Sequence, residues 1–143
     1  MKPYITLITL GVNDLEKSVL FYRDGLGLPT DGIVGKEFPD GAVAFFKLQN
    51  GLTISLFPKT SLAKDAQIII ANTKDASSIS IAHNVMSKDE VDAILQQAEK
   101  AGAKITKPAQ DTFWGGYAGY FQDLDGYLWE IAWNPQMLPE KQV

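Results

Sequence analysis

The chain contains no cysteine and only one histidine, His83. Without cysteine there are no disulfides, no thiolate nucleophile and no thiolate metal site. Positive charge is also scarce: 13 Lys and Arg stand against 17 Asp and Glu, giving a net charge of −4. No basic stripe exists to neutralise phosphates, which argues against nucleic acid as a partner. The few cations are scattered, so an anionic membrane surface is no better a partner. No apolar run approaches the ~20 residues of a membrane span. The opening "MKPYITLITLGV" lacks the small-residue cleavage site of a signal peptide and reads as a strand. The expectation is a cytoplasmic protein. Phosphate loops, nucleophile elbows and paired-carboxylate signatures are likewise missing.

What is present suits a globular protein. Across 143 residues, 45% are hydrophobic and 21% charged, enough for one compact domain or two small modules sharing a core. Residues 4–12 read as a strand. Asn13 or Asp14 caps a helix in which Leu15, Ser18, Val19, Tyr22 and Leu26 share a face, and Gly25 and Gly27 end it. "DGIVGKEF" reads as loop or edge strand. "AVAFFKL" and "LTISLF" form a hairpin about Asn50-Gly51, a strong turn signal. Residues 59–76 read as a linker in which Ser61 opens a short helical turn.

The order then repeats. "SISIAHNVM" is a strand. Ser87 to Glu90 form a capping box, and Val91, Ile94, Leu95, Ala98 and Ala101 share a helix face that stops at Gly102. "AKITKP" is a short strand, and "YAGYFQD" and "YLWEIAW" flank the Asp125-Gly126 turn. Val12 and Val85 are 73 residues apart, as are the caps Asp14 and Ser87; Phe46 and Phe121 are 75 apart, as are Gly51 and Gly126. Each half is therefore a β-α-β-β-β module: residues 1–58, and after the linker residues 77–135, with a polar tail over 136–143. Neither half alone buries a sheet face well, so the modules are expected to share one.

The stretches "GVNDLEKSVLFYRDGLGLP" and "GYFQDLDGYLWEI", set in this doubled order, resemble the vicinal-oxygen-chelate superfamily of glyoxalases, bleomycin-resistance proteins and extradiol dioxygenases. The second stretch carries Leu124 where the family commonly has proline. The resemblance implies an α+β fold: two β-α-β-β-β modules whose mixed sheets form a cupped, barrel-like cavity, with helices outside. It also implies, in metal-dependent members, four inward side chains holding one divalent metal. These positions fall on Leu7, Ser55, Ser80 and Glu130. Only Glu130 is a good ligand, since leucine has no donor and serine hydroxyls are poor ones. No metal cofactor is expected.

Glu130 is the candidate catalytic base or ligand contact. It lies within an apolar strand, where a lone ionised carboxylate is costly unless it is paired or bound. By alternation Leu128, Glu130 and Ala132 line the cavity, while Trp129, Ile131 and Trp133 face the helices. On the strand before, Ser80, Ala82 and Asn84 share the cavity face and His83 faces the helix layer, which favours a structural histidine. The aromatic, glycine-rich "DTFWGGYAGYF" suits a lid or a packing plug. Candidate ligand-binding residues are Ser55, Ser80, Asn84, Phe46, Phe57, Trp114, Tyr117 and Tyr120. The functional expectation is a homodimer binding a small organic molecule without metal, by sequestration or by proton transfer at Glu130. The alternatives are a divalent-metal lyase or dioxygenase of lactoylglutathione-lyase type, and a dimeric interaction module with a vestigial site.

Overall fold

The computed structural model describes residues 1–70 and 78–139. Two compact units divide the chain, Met1–Thr73 and Lys74–Val143. The first holds β1 (Leu7–Val12), α1 (Leu15–Leu20), β2 (Ile33–Val34), β3 (Val43–Lys47), β4 (Thr53–Pro58) and α2 (Lys59–Ala66). The second holds β5 (Ser80–Val85), α3 (Lys88–Lys100), β6 (Lys104–Asp111), β7 (Tyr117–Gln122) and β8 (Leu128–Trp133). Each unit is an open four-stranded mixed sheet. The strand orders are β1-β4-β3-β2 and β5-β8-β7-β6, the same topology twice. The first strand of each unit runs parallel to the last, and the other pairings are antiparallel.

The repeat extends to register. Leu7 pairs with Thr53 and Thr9 with Ser55. Their equivalents, 73 and 75 residues on, are Ser80 with Leu128 and Ala82 with Glu130, and these pair in the same way.

Capping follows the sequence pattern with one adjustment. Asp14 Oδ1 accepts from the Lys17 N–H at 3.0 Å, and Ser87 Oγ accepts from the Glu90 N–H at 3.2 Å. Glu90 returns to the N–H of Met86, one residue before the cap. Beyond α1 a π-helical turn spans Phe21–Gly25, with Leu26 N–H donating to the Phe21 carbonyl at 2.9 Å. The wider turn brings Phe21 into the core edge-on to Tyr22, with ring centroids 4.9 Å apart.

Part of the stretch read as a linker is ordered structure: α2 follows β4 directly, and Lys59 and Leu62 pack over Gly11 of β1. Residues 71–76 of that linker, residue 77 at the start of the second module, and 140–143 of the tail lie outside the described residues. The strand after α3 is longer than "AKITKP" suggests. Proline removes a ladder donor, so Pro108 looked like its end. On an edge strand that loss is tolerated; two register shifts absorb it, and β6 continues to Asp111.

The turn before β8 is built on Asp123. Its Oδ1 accepts from the N–H groups of Asp125 and Tyr127, both at 2.9 Å, and Gly126 adopts φ 89. These bonds satisfy a buried carboxylate and fix the start of the strand that carries Glu130. Among the described residues no helix is long and apolar enough to cross a membrane.

Candidate functional site

The second sheet has a helix face and an opposite face. Phe121 and Trp129 are cross-strand partners with parallel rings 6.1 Å apart. Tyr117 is on this face too: its hydroxyl donates to Asp92 of α3 at 2.7 Å. Between them Gly119 lets α3 approach; a methyl group there would lie 2.6 Å from Leu95 Cδ1. His83 pairs with Ile131 and so shares the helix side. Burial lowers its pKa from the ordinary 6.5, and the nearby charge of Glu90 works against that shift.

On the opposite face, Tyr120 of β7 pairs directly with Glu130 of β8. The Tyr120 hydroxyl donates to Glu130 Oε2 at 2.7 Å. The phenol's pKa is raised above 10.0, first by this hydrogen bond, then by burial and by the carboxylate's charge. Tyr120 therefore stays protonated at neutral pH and keeps donating to Glu130. NMR titration of labelled tyrosine is expected to give Tyr120 a midpoint above 10.0, falling toward the ordinary value in Glu130→Gln. An ordinary midpoint in the parent protein would mean that the bond does not form.

The pair opens on a cavity of about 210 Å³ over β6, β7 and β8, also lined by Lys107, Gln110, Thr112, Trp114 and Ala118. Its wall is the loop from Thr112 to Gly116, a closed turn: Thr112 N–H donates to the Gly116 carbonyl, and Gly116 N–H donates to Thr112 Oγ1, both at 3.0 Å. Gly115 supplies the positive φ of 87 that the turn needs. Lys88 anchors both ends of the loop. Its Nζ donates to Asp111 at 2.9 Å and lies 5.5 Å and 5.8 Å from the ring centres of Tyr117 and Trp133.

The expected site residues divide accordingly. Glu130, Tyr120 and Trp114 meet at the cavity. Tyr117 is turned to α3 by strand alternation, leaving Trp114 as the cavity's aromatic from the "WGGY" stretch. Ser80 and Asn84 flank Ala82 on the Glu130 face of β5, and β5 pairs with β8 on the side away from β7. Ser55, Phe46 and Phe57 belong to the first unit. Phe46 packs against Tyr22, ring centres 6.0 Å apart, and is 1% exposed, so it has no open surface there. Ser55 is buried and shares a 2.7 Å hydrogen bond with Thr9. Equivalent positions of the two units thus differ: Thr9 and Ser55 form a closed hydroxyl pair, whereas Ala82 beside Glu130 leaves a carboxylate facing a cavity. Sequence reasoning missed Gln110, because β6 seemed to end at Pro108, and Lys107, whose pairing is set by register shifts on both sides of it; Thr112 fell in the stretch read as a lid or plug.

The side chains at the four positions that the resemblance assigns to a divalent metal are a poor donor set. Leu7 offers no donor, and the Ser55 hydroxyl is engaged by Thr9. Glu130 is the one strong ligand, with one oxygen already accepting from Tyr120. Among the described residues no group of three His, Asp or Glu side chains is placed to hold a metal.

Comparison with known proteins bears on the same fold. Residues 4–131 match the family model of the Glyoxalase/Bleomycin resistance protein/Dioxygenase superfamily. The uncharacterized protein YraH of Bacillus subtilis is 29% identical over 133 residues, covering 87% of this chain and 93% of that protein. Among solved structures, a glyoxalase-related enzyme from Fulvimarina pelagi is 32% identical with a TM-score of 0.79, covering 93% of this chain and 89% of the other. A fosfomycin resistance protein from Listeria monocytogenes, FosX, determined with Mn(II) and a dihydroxypropylphosphonic acid, shares the fold at 23% identity and a TM-score of 0.66, over 92% of this chain and 90% of its own. With the doubled β-α-β-β-β topology in both units, the match over residues 4–131 makes this chain a member of the glyoxalase/bleomycin resistance protein/dioxygenase superfamily.

Proposed function

We propose that the protein binds a small organic molecule in the cavity of its second unit, without a metal. Glu130 supplies the principal polar contact, for sequestration or for proton transfer. The observation that carries this reading is the Tyr120–Glu130 pair, a cross-strand couple joined at 2.7 Å and facing a cavity walled by Trp114. A carboxylate flanked by an aromatic wall and fixed by one donor keeps acceptor capacity for a ligand. In the catalytic variant the same carboxylate takes a proton from a bound substrate, with the Tyr120 bond fixing its orientation. Fragment screening by protein-observed NMR tests the site. Hits are expected to shift the amides of Trp114, Ala118, Tyr120 and Glu130. Hits confined to the groove between α3 and β6, lined by Leu95, Gln96 and Pro108, would contradict it.

The donor set leads to a second expectation. Elemental analysis of dialysed protein should find far less than about one Ni, Zn, Fe or Mn per chain, since a zinc site wants about three protein ligands or more. A stoichiometric metal surviving dialysis would restore the lyase or dioxygenase reading.

We infer also that the protein is a homodimer. On the Ser55 face of the first sheet, Leu7 and Phe45 are 45% and 40% exposed, an apolar surface that association would cover. Light scattering should return twice the 15.7 kDa chain mass; a monomer at micromolar concentration would contradict this.

A further inference from the structure

The cavity carries two opposite charges that do not neutralise each other. Lys107 of β6 pairs across the sheet with Tyr120, and Tyr120 pairs with Glu130 on its other side. Lys107, Tyr120 and Glu130 are thus one row across three strands, and all three line the cavity. Two strand spacings put the Lys107 and Glu130 backbones roughly 10 Å apart, with the tyrosine between them. Among the described residues Lys107 forms no ion pair, and the other carboxylate at the cavity, Asp111, is taken by Lys88.

We propose that the cavity selects a small zwitterion built on a flat ring, its ammonium or N–H end on Glu130 and its anionic end on Lys107. This rests on the binding role given to the cavity above. The chemistry is complementary at each point. A carboxylate steadied by a phenol accepts from a cationic donor, and a lysine ammonium donates to a carboxylate. Trp114 gives a ring a stacking surface. Gln110 and Thr112 add neutral polar groups near the Lys107 end. A ligand with one charge makes only one of the two charge-assisted contacts, which is the source of discrimination.

Calorimetric titration of the full-length protein at low salt, with four probes sharing one ring, tests this. The probes are 4-(aminomethyl)benzoate, benzylamine, benzoate and benzyl alcohol. The zwitterion is expected to bind about tenfold or more tightly than either singly charged probe, the difference that one charge-assisted hydrogen bond makes. Glu130→Gln should reduce the zwitterion to the affinity of benzoate, and Lys107→Met to that of benzylamine. Trp114→Ala should weaken all four. Equal affinities in the parent protein, or a preference for a singly charged or neutral probe, would overturn the zwitterion inference. In those cases the cavity reading stands if Trp114→Ala still weakens the probes. No heat from any probe overturns the inference as well, and the fragment-NMR result then decides the cavity reading separately.

Discussion

Phe121→Ala is expected to destabilise the protein by about 3–5 kcal/mol, the usual cost of truncating a fully buried ring. Phe121 is 1% exposed and lies flat against Trp129. It sits on the helix side of β7, where α3 presents Val91, Leu95 and Ala98, all buried. Neighbouring backbone cannot collapse into the hole, because β7 is hydrogen-bonded to both β6 and β8. Urea unfolding should show a lower midpoint at an unchanged slope. A loss below about 1 kcal/mol, more typical of a surface change, would mean that the core of the second unit does not depend on this ring.

Gly116→Ala is expected to have the second-largest effect, and it acts on the site. A methyl group at Gly116 would overlap the Trp114 ring and lie 2.6 Å from the Trp133 carbonyl oxygen. The ring can swing away; the carbonyl belongs to β8, which is paired on both sides, and cannot. Overpacking of this kind costs about 1–3 kcal/mol. It should also displace Trp114 from the cavity wall, so fragment binding fails while the sheet persists. Tryptophan fluorescence checks the displacement and NMR checks the binding. Gly115→Ala separates loop strain from overlap. Gly115 has a φ of 87 and open space around it, so substitution strains the backbone without striking the ring. If Gly116→Ala left both fluorescence and binding unchanged, Trp114 would not form the wall.

Much of the fold was legible because it was written twice. Spacings of 73 and 75 residues identified two β-α-β-β-β modules, and the register pairs Leu7 with Thr53 as it pairs Ser80 with Leu128. Caps, the Asp125-Gly126 turn and the alternation that aims Glu130 away from Trp129 are local signals, each settled by a few neighbouring residues. Other features depend on tertiary context. Pro108 lies within a strand only because that strand is at the sheet edge. The π-helical turn that buries Phe21 has no signature in a 3.6-residue pattern. Lys107 lies within the strand that the sequence suggests, but the register shifts on both sides of it, which set its pairing with Tyr120, have no local signature. Trp114 and Tyr117 are three residues apart in an aromatic stretch and looked equivalent. A turn closed by Thr112 places one at the cavity, and strand alternation places the other on α3. Aromatic type alone did not separate Phe46 from Phe45 either; their opposite faces on β3 did, one packed on Tyr22 and the other exposed.

Glu130 began as an awkward residue, a carboxylate in an apolar strand. Its partner proves to be Tyr120, and its other surroundings are a cavity rather than a core. Native mass spectrometry of gently purified protein, run beside Glu130→Gln, tests whether Glu130 holds a ligand. A small organic adduct is expected on the parent protein, released by collisional activation, with no metal mass retained. Glu130→Gln is expected to fold as the parent does and to come through purification without the adduct. A retained divalent metal, or an organic adduct equally abundant on Glu130→Gln, would contradict this expectation.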